Sequence, residues 1–252
     1  MYYLYKNTTI YYEKYGNANN TILILPGWGN TRESFNYIVH HLKDTYSIYI
    51  IDYPSFGNSP SLQKEWDIED YASLIKNFLK DQNIYNPIII AHSFGGRITA
   101  LLVGKYQIKV KKVILIDVAG IKRKKTIKTF LKEKIYKLLK KLTYLLPPIK
   151  QETVRQKLLL KFASNDYKNI PKSMQKTFQN IIQVDLRKYY KKISNETLIL
   201  WGEKDKDTPL KDGRYLNRII KNSALIIYKN AEHFSYLNYP YLTIEIIKKY
   251  LQ

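Results

Sequence analysis

Three polar side chains stand where strand-like runs give way to loops: Ser93, Asp205 and His233. A serine hydroxyl becomes a useful nucleophile only when a neighbouring base takes its proton, and an imidazole, with an ordinary pKa of about 6.5, suits that task. A carboxylate behind the imidazole would hold it in the useful tautomer and stabilise the imidazolium that forms. The chemistry implied is acyl transfer: Ser93 attacks a carbonyl, His233 shuttles the proton and Asp205 orients the histidine. With no cysteine among 252 residues, thiol catalysis, disulfides and Cys-based metal sites are excluded.

The central signal is Ala91-His92-Ser93-Phe94-Gly95-Gly96, after the apolar run PIIIA and before a helical pattern. A nucleophile on such a turn is forced into a tight conformation, and small residues two before and two after it let strand and helix approach. Here those positions are Ala91 and Gly95. The turn also sets the Phe94 N–H at a helix start, where it can face developing negative charge. A phosphate-cradling loop would need G-x-G-x-x-G or G-x-x-x-x-G-K-[ST], and neither occurs. A second oxyanion donor is expected from Pro26-Gly27-Trp28-Gly29-Asn30, the loop after TILIL, with the Trp28 N–H as candidate.

The acid is expected in Trp201-Gly202-Glu203-Lys204-Asp205, at the end of a strand, with Asp207 and Asp117 as alternatives. Thr208-Pro209 marks the start of the next helix, which favours Asp205 as the strand-end residue. The chain has four histidines, and His40 and His41 fall in a helical stretch. His92 adjoins Ser93, where neighbouring side chains diverge. His233, in Asn230-Ala231-Glu232-His233-Phe234, alone lies in a loop beyond the acid, giving the order Ser, Asp, His.

These residues need a scaffold that brings several strand ends together. Tyr-rich runs at 2–5 and 8–13 predict an opening hairpin. Short apolar runs at 21–25, 47–51, 87–91, 112–116, 197–201 and 224–228 predict buried strands. Helical patterns at 31–42, 67–80, after Ser93 to about 106, between the last two strands and at 240–251 alternate with them. That alternation predicts an α/β fold with a mostly parallel central sheet and helices on both faces. From about 121 to 190 no strand pattern occurs and helical periodicity dominates.

Taken together, the motifs resemble the α/β-hydrolase fold family. PGWGN resembles its oxyanion loop, with Pro26 where His is commoner. DYPSFGNS at 52–59 resembles its D-x-P-G-x-G-x-S loop, with Ser55 in a usual Gly position. AHSFGG, WGEKD-x-x-TP and the EHF segment resemble its elbow, acid and histidine regions. The resemblance implies a core domain of residues 1–120 and 194–252 and an all-helical cap, residues 121–193, inserted after the sixth strand. It implies a serine hydrolase with catalytic Ser93, Asp205 and His233, backbone donors at Trp28 and Phe94, no cofactor, no metal and a small-molecule acyl substrate. Substrate identity does not transfer with the fold, which serves esterases, C–C bond hydrolases and peptidases alike; a non-catalytic ligand-binding protein is the alternative of a different class.

The formal net charge is +21, from 42 basic and 21 acidic residues. Helix-turn-helix, zinc-finger and RNP-like motifs are lacking, so no nucleic-acid partner is expected. Residues 121–161 hold fourteen Lys or Arg against Glu133 and Glu152. Ile127, Phe130, Leu131, Ile135, Leu138, Leu139, Leu142, Leu145 and Leu146 recur among them at helical spacing. Either this apolar face covers a pocket, or it gives a weak contact with anionic membrane. The N-terminal residues show no secretory signal and no apolar run is long enough to span a bilayer, so a cytoplasmic location is expected. Arg97, one turn beyond the elbow, reads as a structural pairing residue.

Overall fold

A computed structural model describes residues 1–122, 127–162 and 170–252. Its strands are β1 (Tyr2–Tyr5), β2 (Thr8–Tyr15), β3 (Thr21–Leu25), β4 (Ser47–Asp52), β5 (Ile88–His92), β6 (Val113–Ile116), β7 (Thr197–Gly202) and β8 (Ser223–Tyr228). They form one sheet in the order β1-β2-β4-β3-β5-β6-β7-β8. The hairpin of β1 and β2 runs antiparallel onto β4, and the remaining pairings are parallel.

The parallel strands read as unbroken apolar runs because both faces of the sheet are covered. Successive side chains alternate between the faces. Leu23, Leu25, Ile89 and Ala91 join one core cluster. Ile22, Ile24, Ile88 and Ile90 join the other. Helix α1 (Asn36–Leu42) and the terminal helix Pro240–Leu251 supply the second cluster through Ile38, Leu42, Ile244 and Ile247. Helices α2 (Ile68–Asp81) and α3 (Phe94–Gly104) supply the first. A reciprocal capping box of Asp67 and Asp70 starts α2.

From β3 the chain goes first to β4 on one side and then to β5 on the other. The loops that leave the carboxyl ends of β3 and β5 therefore part at a switch point, where open α/β sheets place ligands. The Asp52 loop is built for structure. Asp52 is fully buried, forms a salt bridge with Arg32 at 2.6 Å and accepts the Asn58 N–H at 3.0 Å. A Cβ at Gly57 would meet the Asp52 carboxylate at 2.2 Å. Ser55 has φ of 72°, which explains why glycine is the usual choice there.

The chain divides into two compact units, one of Met1–Lys122 with Asn180–Gln252 and one of Arg123–Gln179. In the second, the described elements include α4 (Ile127–Leu142), a 3-10 turn (Thr143–Leu145) and α5 (Pro148–Phe162), and none is a strand. Buried Thr143 joins these helices: its hydroxyl accepts from Arg155 Nε at 2.9 Å and donates to the Lys140 carbonyl at 2.7 Å. Ser164-Asn165-Asp166-Tyr167 and the side chains of Ile127 and Phe130 lie outside the described residues. Residues 180–193 belong to the first unit. Ile181, Leu186, Tyr190 and Ile193 are buried in its core cluster. Arg97 holds that segment by donating to the Ile181 and Val184 carbonyls, both at 3.1 Å.

Candidate active site

Ser93, Asp205 and His233 follow β5, β7 and β8, at the carboxyl end of the parallel sheet. Ser93 has φ 47° and ψ −108°, a left-handed conformation that costs a non-glycine residue about 1–3 kcal/mol. The neighbouring packing holds it there. Its N–H donates to the Ile116 carbonyl at 3.1 Å, and its carbonyl accepts from Ala119 N at 2.9 Å. Gly95 is required because a Cβ there would stand 2.0 Å from the Leu25 carbonyl oxygen. Strand β3 and helix α3 thus touch backbone to backbone, and Ser93 is lifted out of the sheet while His92 stays buried.

His233 Nε2 lies 2.9 Å from Ser93 Oγ, and His233 Nδ1 lies 2.8 Å from Asp205 Oδ2. With Nδ1–H donated to the carboxylate, Nε2 is left to accept the serine proton. Asp205 also accepts the Asp207 and Thr208 N–H groups on Oδ1, at 2.8 and 2.9 Å, and the Thr208 hydroxyl on Oδ2 at 2.6 Å. Burial alone would pull the His233 pKa down, but the hydrogen bond and charge of Asp205 outweigh it and hold the ring above its ordinary value. Burial likewise opposes the charged form of Asp205, yet His233 and Thr208 keep it below the usual carboxylate range. The arrangement is a base poised against a hydroxyl, with a fixed anion behind it.

Asp207 is exposed, and its backbone N–H rather than its side chain serves Asp205. His40 and His41 lie in α1, where His41 Nδ1 is 2.8 Å from the Tyr37 carbonyl. Asp117, the third acid considered, has another position in the network. Its Oδ1 accepts the Gly202 N–H at 2.7 Å, and its Oδ2 accepts the Ser235 hydroxyl and N–H at 2.5 and 3.2 Å. It therefore ties the loop after β7 to the loop after β8, and burial pushes its pKa up to about 7.

Two further side chains support the site. The Thr208 hydroxyl lies 3.2 Å from His233 Nδ1 besides donating to Asp205. His92 donates Nε2–H to the backbone carbonyl of His233 at 2.9 Å. Burial lowers the His92 pKa to about 3, so the ring stays neutral and keeps that donor. Adjacent to Ser93 in sequence, it serves the His233 loop 141 residues away.

The oxyanion candidates lie on adjoining loops. The Trp28 and Phe94 rings meet edge to face at 5.2 Å. A Cβ at Gly27 would stand 2.8 Å from His92 Nδ1, so the 26–30 loop lies against the elbow. As the first residue of α3, Phe94 has an N–H with no carbonyl one turn earlier to bind it. Asp205, Asp207 and His233 also offer three ligand atoms within 4.8 Å, close enough for a metal ion. Such an ion would have to displace the hydrogen bonds that already occupy Asp205 and His233 Nδ1.

The sequence model of the alpha/beta hydrolase fold matches residues 20–240. The chain belongs to the α/β-hydrolase family. This α/β-hydrolase is 24% identical to the hydrolase YugF of Bacillus subtilis strain 168, over 96% of the chain and 94% of that protein. It is also 24% identical to a pimeloyl-[acyl-carrier protein] methyl ester esterase of Neisseria meningitidis FAM18, over 88% of the chain and 90% of that protein. Its fold matches the crystal structure of MGS-M2, an α/β-hydrolase enzyme from a Medee basin deep-sea metagenome library. The TM-score is 0.76 at 19% identity, over 100% of the chain and 97% of that protein. The chain is an α/β-fold hydrolase with esterase-like relatives. No helix among its described residues is long and apolar enough to cross a membrane.

Proposed function

We propose that this α/β-hydrolase cleaves a carboxylic ester or related acyl bond through Ser93, His233 and Asp205, by way of an acyl-enzyme. The observation that carries the reading is the continuous path from Ser93 Oγ to His233 Nε2 at 2.9 Å and from His233 Nδ1 to Asp205 Oδ2 at 2.8 Å. His233 takes the hydroxyl proton as Ser93 attacks the carbonyl carbon. The Trp28 and Phe94 N–H groups receive the oxyanion, and each such donor is worth about 3–4 kcal/mol of barrier. His233 then gives its proton to the leaving group. Water, activated by the same imidazole, releases the acid and restores Ser93.

The helical insertion would act as a cap that shapes the acyl pocket, and its basic surface would give the weak contact with anionic membrane. The setting proposed is cytoplasmic, the partner a small acyl substrate rather than nucleic acid. The esterase relatives make methyl esters of medium-length acyl groups the first substrates to try. C–C bond or peptide cleavage would use the same three side chains.

The test is stopped-flow hydrolysis of p-nitrophenyl esters of graded acyl length. A burst of nitrophenol equal to the enzyme concentration, absent in Ser93→Ala, is expected. Turnover retained in Ser93→Ala would overturn the reading.

A further inference from the structure

The second unit keeps an apolar stripe in water. On α4, Leu131, Ile135, Leu138 and Leu142 recur at intervals of four, three and four, which places them on one face of the helix. Leu145, in the next turn, and Ile149, at the start of α5, are exposed apolar residues as well. All six are between 49% and 91% exposed. Tyr136 and Leu139, on another face of the same helix, are less exposed, and Thr143 just beyond it is buried. Among the described side chains of α4, Leu131, Ile135, Leu138 and Leu142 are thus the exposed apolar ones, while Tyr136 and Leu139 are partly covered. Single exposed leucines are ordinary; four along one helix face, with two more close by in sequence, mark an interaction site.

The charges around the stripe specify the partner. At 100° per residue, Lys134, Lys137 and Lys141 follow the stripe along one flank, and all three are exposed. Lys150 is exposed beside Ile149. Over its whole length α4 carries six lysines and one acid, Glu133. A second copy of a chain with net charge +21 would bring like charge against this surface. A nucleic acid would use the lysines and leave the leucines in water. An anionic bilayer uses both at once: the lysines meet headgroup phosphates and the leucines enter the acyl boundary. With 16 residues, α4 would lie in the interface plane rather than span it.

We infer that the Leu131–Ile149 face of the helical unit docks on anionic lipid surfaces, bringing the hydrolase to a membrane without anchoring it there. This deepens the membrane contact proposed above and is independent of the Ser93 chemistry.

The experiment is co-sedimentation of the full chain with phosphatidylserine-containing and pure phosphatidylcholine vesicles, at low and raised salt. Three proteins are compared with wild type: Leu138→Gln/Leu142→Gln, Lys134→Gln/Lys137→Gln/Lys141→Gln, and Ser93→Ala. All these positions but Ser93 are exposed, and circular dichroism checks that the fold is kept. Wild type and Ser93→Ala should bind the anionic vesicles equally and the neutral ones little, with binding weakened by salt. The leucine pair should lower partitioning tenfold or more. The lysine triple should lower it roughly a hundredfold, at about a fivefold effect per charge. Absence of anionic-vesicle binding at low salt would overturn the inference. So would binding that the leucine pair leaves unchanged, which would mean a general polyanion or acidic-protein surface. Lipid-free self-association abolished by the leucine pair would assign the face to a second copy instead.

Discussion

Replacing Asp205 with asparagine tests the proposed mechanism through a hydrogen-bond count. Asp205 Oδ1 receives two backbone N–H groups, from Asp207 at 2.8 Å and Thr208 at 2.9 Å, while Oδ2 faces His233 Nδ1 and receives the Thr208 hydroxyl, which has the Asp117 carbonyl at 3.0 Å as a second acceptor and so does not decide the orientation. The side-chain amide of the Asp205→Asn variant must give one position to oxygen and the other to NH2. With NH2 at the Oδ1 position, two buried N–H donors lose their acceptor, at about 1–3 kcal/mol each. The oxygen therefore stays there, and the NH2 turns toward His233. Imidazole answers by accepting at Nδ1 and carrying its proton on Nε2, which then points a hydrogen at Ser93 Oγ and cannot take one. The working tautomer becomes a minor species by about 2–6 kcal/mol, the sum of those two losses, and the imidazolium loses its counter-charge. The rate of Ser93 acylation should fall on the order of 10³–10⁴-fold. Asp207→Asn, a surface change, should stay within about twofold of wild type. The assay is the second-order rate of inactivation by a fluorophosphonate. An Asp205→Asn rate within tenfold of wild type, or an equal loss in Asp207→Asn, would refute the reasoning.

Other consequences are equally direct. Since His233 is held above its ordinary pKa, acylation should rise with pH through a midpoint above about 6.5; Thr208→Val, which removes a donor to Asp205, should cost about 10–100-fold in kcat at pH 7. In the stability of the pair the sign runs both ways. The raised His233 stabilises the fold below about pH 6.5 and loses that contribution as pH rises through its folded pKa. The lowered Asp205 contributes above about pH 4 and loses it as pH falls. Denaturation of wild type against His233→Gln should thus differ most between about pH 4 and 6.5, and a difference independent of pH would contradict the assignment. Gly95→Ala places a methyl 2.0 Å from the Leu25 carbonyl oxygen and should cost about 2–3 kcal/mol in a thermal melt. Asp117→Ala strips Gly202 N and the Ser235 N–H and hydroxyl of their acceptor and should cost about 2–3 kcal/mol by urea titration.

What was legible in the sequence was local. Unbroken apolar runs such as ILIL and IIIA announce strands buried on both faces, and the residues just past their ends can be read as a list of site candidates. The Ser93 turn shows through Ala91 and Gly95, where strand and helix approach too closely for large side chains. The supports of the site were not legible. His92 and Asp117 act on segments 85 to 141 residues distant, and nothing in their own neighbourhoods records those partners. Apolar residues such as Ile181, Leu186 and Tyr190 read alike in sequence whether their segment packs on a cap or on the core. Nor does the amphipathic pattern of α4 reveal whether its apolar face is covered, and its exposure emerges only in three dimensions.

The most direct test of the central claim is fluorophosphonate labelling of wild type and His233→Ala, with mass spectrometry of the modified peptide. A single adduct on Ser93 in wild type, strongly reduced in His233→Ala, is the predicted result. Folded wild-type protein that takes no label at Ser93, or labelling there that persists without His233, would contradict it.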